Sequence, residues 1–266
     1  MAATPACPAG TLLWQDVLLF ALCWEVLYQV AKALCKLSSH EKVKKLGASY
    51  CVAFCNALAC SVGGTWATLS LLAGDYSGRA AVTTDLSPYW PGGQPGVLVY
   101  ERYAHMFLGW LAYDIVHIAT HYPKLGGVDT VAHHLGFICL TCLGSTYRVL
   151  PFPVAWLLLG EVSSLPLNVR WFLISTERGK SAALKLTNVL FALSFLVVRV
   201  LIYWAGVYHM LSFLRPELIG PSYGCAPWVV NTLCGFITAG ALLNAYWMVG
   251  IIKMAMRGGE KKAKKS

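Results

Sequence analysis

Residues 131–173 read VAHHLGFICLTCLGSTYRVLPFPVAWLLLGEVSSLPLNVRWFL, and the way this run divides decides the fold. The run is too long for one membrane crossing, since about 20 apolar residues span the hydrocarbon of a bilayer. Pro151 and Pro153 divide it. A proline lacks the amide donor that a continuing helix needs, and lipid offers no substitute partner. The stretch is therefore expected to form two spans, near 131–150 and 153–174, joined by a tight hairpin.

Five further segments on either side meet or approach the spanning length, near 11–31, 48–73, 103–121, 186–211 and 228–252. The expected fold class is all-α, a polytopic transmembrane helical bundle of about seven spans. Composition agrees: 57% of the 266 residues are hydrophobic and 12% are charged, with a mean hydropathy of +0.58. That leaves too little polar surface to coat a soluble globule. The chain divides into an N-terminal span with a basic loop (1–40), one helical domain (41–256) and a basic tail (257–266). Residues 1–10 lack the basic start of a signal peptide, so the first span is expected to be retained. The loop 74–102, with Tyr89 and Trp90, is long enough to lie as a flap at the membrane interface.

The net charge of +9 is a topology signal, because the basic residues lie in short clusters between apolar spans and form no patch for nucleic acid. Fifteen Lys and Arg fall in the segments holding Lys32 to Lys45, Lys124, Arg178 to Lys185 and Lys253 to Lys265, against four on the other side (Arg79, Arg102, Arg148, Arg215). The N-terminus is then expected in the lumen and the C-terminus in the cytosol. Lys262 and Lys264 have the spacing of a dilysine retrieval signal, which would return the protein to the endoplasmic reticulum. Of ten cysteines, most sit in apolar runs as packing residues, Cys139 and Cys142 included. Cys225 lies in a polar loop, positioned to be reactive or paired.

Ionisable groups at bilayer depth are costly, so each one present requires a partner or a task. Asp114, His117 and His121 follow i, i+3, i+7 and share a helical face. The short loop KLGGVDT then returns the chain to His133 and His134 at the same, cytosolic end. A polar pocket near the cytosolic leaflet is expected there. Glu161 and Arg199, deep in the fifth and sixth spans, are expected to pair. The histidines are too few for the several boxes of a di-iron site, since His40, His105 and His209 lie outside the cluster. A zinc site on His117, His121 and a third ligand stays geometrically open, but no metal and no cofactor is assigned. No nucleotide, hydride-transfer or serine-hydrolase motif is present.

The order Tyr113-Asp114, His133-His134, the block GEVSSLPLNVRWFL from Gly160 to Leu173, and Arg199 resembles the TLC domain. That domain is shared by ceramide synthases, translocating-chain-associated membrane proteins and smaller TLC-domain-containing lipid-homeostasis proteins. The block holding Glu161, Asn168, Arg170 and Trp171 is most similar to the last group, and the resemblance covers about residues 41–256. It implies a helical bundle of the endoplasmic reticulum or related membranes with a role in lipid metabolism. In ceramide synthases the paired histidines are implicated in N-acylation of a sphingoid base by acyl-CoA, and the matching positions are His133 and His134. Where the synthases carry a His-Asp pair and a further acid, this chain has Gly160-Glu161 followed by Val162, Ser163 and Ser164.

The favoured reading is thus a lipid-homeostasis protein that binds membrane lipids in an intramembrane polar pocket. The alternative is an acyl-CoA-dependent N-acyltransferase. For that chemistry the catalytic set is His133, His134, Glu161 and Asp114. The lipid- or substrate-binding set is His117, His121, Asn168, Arg170 and Arg199. Acyl-CoA and a homodimeric partner stay open.

Overall fold

The computed structural model describes residues 14–74, 77–80, 95–178 and 181–263. Seven long helices follow one another: α1 (Trp14–Cys35), α2 (Glu41–Ala73), α3 (Pro95–Thr120), α4 (Val128–Tyr147), α5 (Pro151–Ser175), α6 (Ala182–Ile219) and α7 (Pro227–Ala263). No β-strand occurs among the described residues. The polytopic helical fold expected from the sequence is the one observed. The interfacial flap falls largely on residues 81–94, outside the described residues, as does Lys264 of the dilysine spacing.

Five helices (α1, α2, α5, α6, α7) are long and apolar enough to cross a membrane. The other two, α3 and α4, carry Asp114, His117, Asp129, His133 and His134, and these polar side chains lower their apolarity. Several helices outrun the hydrophobic segments that announce them: α2 begins at Glu41 and α7 extends to Ala263. Helical hydrogen bonding continues into water, whereas hydropathy marks only depth.

Pro151 stands at the start of α5, where its missing N–H costs nothing. Arg148 and Leu150 take left-handed backbone conformations (φ 51° and 58°) that reverse the chain between α4 and α5. The turn leaves no amide stranded: Val149 N–H donates to Gly144 O at 3.1 Å and Leu150 N–H to Ala80 O at 2.9 Å. Lipid-depth backbone must be satisfied in this way.

Six helices close a ring in the order α2, α3, α4, α7, α6, α5, each packed against the next, and α1 lies outside it against α2 and α3. The apolar stretches of α2 and α5 are 50% and 56% buried, against 17% for α1, most of whose leucines and valines face outward. The α2–α5 contact needs Gly64, where a Cβ would stand 2.5 Å from the amide nitrogen of Leu159. Tyr203 of α6 reaches α7 over Gly240 and donates to Ile237 O at 2.9 Å. A second irregularity matters for function. α5 tightens into a 3₁₀ turn at Gly160–Ser163, and α6 widens into a π-helical segment at Phe195–Ile202. Such departures are often found at functional sites.

Candidate functional site

Asp114 on α3 and His134 on α4 meet across their packed helices, with Asp114 Oδ2 2.9 Å from His134 Nε2. The same ring's Nδ1 stands 2.9 Å from the Thr130 carbonyl, one turn earlier on α4. Both nitrogens therefore face oxygen acceptors. A neutral imidazole has one N–H, so either the ring is an imidazolium beside a carboxylate, or the carboxyl carries the proton and donates it to Nε2. The pair holds one shared proton between two helices. His134 is buried and Asp114 half-buried, at 7% and 15% exposure. Trp110 lies over His134 at 5.4 Å between ring centroids.

His133 points elsewhere. Its ring packs against Phe137 at 4.7 Å and Trp247 of α7 at 5.4 Å. It makes no side-chain hydrogen bond among the described residues. Trp247 is itself tied back to α4, donating from Nε1 to Asp129 Oδ2 at 3.1 Å.

On the opposite arc of the ring, Arg199 Nη2 donates to Glu161 Oε1 at 2.7 Å. The pairing expected from sequence is present. The guanidinium also donates from Nε to Ser163 Oγ at 2.9 Å and to Gly160 O at 3.2 Å, and from Nη2 to Ser164 Oγ at 3.3 Å. The 3₁₀ turn thus presents a carbonyl, two hydroxyls and a carboxylate to one arginine that the π-helical segment brings to it. Glu161 is within electrostatic reach of His134, and Arg199 of His133. Asp114–His134 thus joins α3 to α4, and Glu161–Arg199 joins α5 to α6, within the same ring of helices.

His117 and His121 join neither pair. His117 Nε2 donates to Glu25 Oε2 at 3.0 Å, and Glu25 Oε1 accepts from Gln29 at 2.6 Å. Both partners lie on α1, outside the ring. His117 is sandwiched by Tyr28 and Tyr113, with centroids 4.2 and 4.4 Å away. His121 turns back on its own helix, its Nδ1 3.0 Å from His117 O. The single histidine cluster expected from the spacing is therefore two sites on two sides of α3. Glu25 of α1 carries the second. Asn168 is buried and donates to Ser164 O at 2.8 Å, which stiffens the turn bearing Glu161. Arg170 lies apart from both pairs, bonded at 2.7 Å to Asn188 on the outer side of α6. Among the described residues no three His, Cys, Asp or Glu side chains come together as metal ligands.

Residues 48–253 match the sequence profile of the family described as the TLC domain. The chain is 29% identical over 149 residues to TLC domain-containing protein 4-B of Danio rerio, an overlap covering 54% of each chain. It is 28% identical over 151 residues to the protein of the same name from Xenopus laevis, covering 54% of this chain and 55% of the relative. The chain spans about half the length of these curated relatives.

Proposed function

The chain belongs to the TLC-domain family, and from that premise we propose that it serves membrane lipid homeostasis by holding the polar part of a membrane lipid inside the helical ring. The observation carrying this reading is that two polar pairs, Asp114–His134 and Glu161–Arg199, are set on four helices of one ring, with His133 beside the first. Structure alone requires charges at depth to be paired, and Glu161–Arg199 meets that need. It does not require an unbonded His133 beside them. Asn56 Nδ2 and Trp110 Nε1 add two buried donors with no partner among the described residues. In native proteins such donors usually meet a polar partner, and a lipid head would supply one.

The proposed setting is the endoplasmic reticulum membrane, with the N-terminus lumenal and the C-terminus cytosolic. The lysine-rich side supports it, and so does Cys225, which is disulfide-bonded in the loop between α6 and α7, on the side opposite the tail. Disulfides form in oxidising compartments. A protease-accessible tag placed after Ser266 is expected to be digested on sealed microsomes. A protected tag would overturn the orientation and the cytosolic access to His133 that goes with it.

The binding reading is tested by identifying lipids that co-purify with the full chain. A lipid enriched over the bulk membrane, and lost from Asp114→Ala, is the expected result. The same lipid profile in wild type and variant would refute the pocket. A second reading, acyl transfer, is favoured by His133, whose ring is free to take a proton from an amine acceptor while Asp114 holds its neighbour. Incubation with acyl-CoA and a long-chain base separates the two. Product made by wild type and absent from His133→Ala/His134→Ala selects the transferase, and no product from wild type selects binding.

A further inference from the structure

A cleft lies between α1 and α2, outside the ring. α1 and α2 enclose an open cleft of about 550 Å³ whose walls include Leu27, Val30 and Leu34 on α1, Leu37 at the turn, and Val43 and Cys51 on α2. The lining is almost wholly apolar. From residue 27 to residue 37 the cleft follows the chain for about 15 Å at helical rise. That is about half the hydrocarbon thickness, the reach of one acyl chain from one leaflet. The cleft volume falls within the usual range for small-molecule sites.

The chain segment that turns at the end of the cleft is rich in lysine. Lys36 precedes lining residue Leu37, Lys42 precedes Val43, and Lys45 follows on the same helix; all three are exposed. Glu41, the one acid in the segment between Lys36 and Lys45, is engaged by Lys44 at 2.8 Å. Lys36, Lys42 and Lys45 form no ion pair among the described residues. We propose that this cleft holds an acyl chain of an anionic phospholipid, with the lipid phosphate bound by Lys36 and Lys42. In the orientation proposed above this end of the cleft faces the cytosolic leaflet, the one that carries anionic lipid. The complementarity selects the occupant: a zwitterionic lipid fits the cleft equally, but its headgroup cation cancels the phosphate and leaves no net charge to offset the lysines.

The test is native mass spectrometry of the purified full chain in detergent with equal amounts of dioleoyl phosphatidylglycerol and dioleoyl phosphatidylcholine. Wild type is expected to retain the anionic lipid about tenfold more, the scale of one to two lysine–headgroup contacts. Lys36→Ala/Lys42→Ala brings the ratio close to one. Leu34→Trp and, separately, Val30→Trp fill the cleft and lose both lipids; these residues are 64% and 52% exposed, so neither change disturbs the interior. Equal retention of the two lipids by wild type would overturn the proposal, as would unaltered retention by both tryptophan variants. Asp114→Ala is expected to leave these adducts in place, so failure of the ring pocket and failure of this cleft give different results.

Discussion

Arg199→Leu is expected to destabilise the fold by about 3–5 kcal/mol, the range for removing one member of a buried ion pair. The reason lies in what remains. Glu161 is 13% exposed and takes its strong donor from Arg199, which is itself 11% exposed. Without the guanidinium, a carboxylate is stranded in a low-dielectric interior, and Ser163, Ser164 and the Gly160 carbonyl lose a donor together. Glu161→Leu is expected to cost less, because Arg199 keeps three of its four contacts. The double variant Glu161→Leu/Arg199→Leu should recover most of the loss, since no charge is then left unpaired. Denaturant melts of the purified protein in one detergent, analysed as a double-mutant cycle, give the coupling. Single variants as stable as wild type would show that water or lipid heads already solvate the pair. A double variant that folds but no longer retains co-purified lipid would place Arg199 in the pocket and not merely in the scaffold.

The helices and this ion pair were legible in the sequence for the same reason. Both follow from what hydrocarbon forbids: an unsatisfied backbone at Pro151 and an unpaired charge at Arg199. The division of the histidines was not legible. Asp114 and His117 are three residues apart, which puts them about 60° apart around the axis of α3. Close enough to count as one face, they are still far enough apart for α4 to receive Asp114 and α1 to receive His117. Spacing reports angle within one helix, whereas the neighbour at each angle is set by ring closure. Glu25 was hidden similarly, since it lies on a helix outside the matched domain and its partner His117 is 92 residues away. The π-helical segment around Arg199 has no sequence signature here at all.

Asp114→Asn separates the two chemistries that the interior allows. An asparagine keeps the shape of the aspartate, and its amide N–H can donate to His134 Nε2 while His134 Nδ1–H donates to Thr130 O. The bond survives as a neutral one, but the shared proton is gone. If the chain transfers acyl groups, its rate with acyl-CoA and a long-chain base is expected to fall by about 10²–10⁴-fold, the usual contribution of positioned proton transfer. If it only binds lipid, retention is expected to change by less than about tenfold, the worth of one altered hydrogen bond. Stability should stay near wild type in both cases, because no buried group is orphaned. Asp114→Ala provides the contrast, since it leaves Nε2 of a buried histidine without a partner and should lower stability by about 1–3 kcal/mol. A variant Asp114→Asn with full transferase activity would remove the shared proton from the mechanism and leave His133 as the group to examine. A variant that unfolds would show that the charge of Asp114, and not its shape, holds α3 to α4.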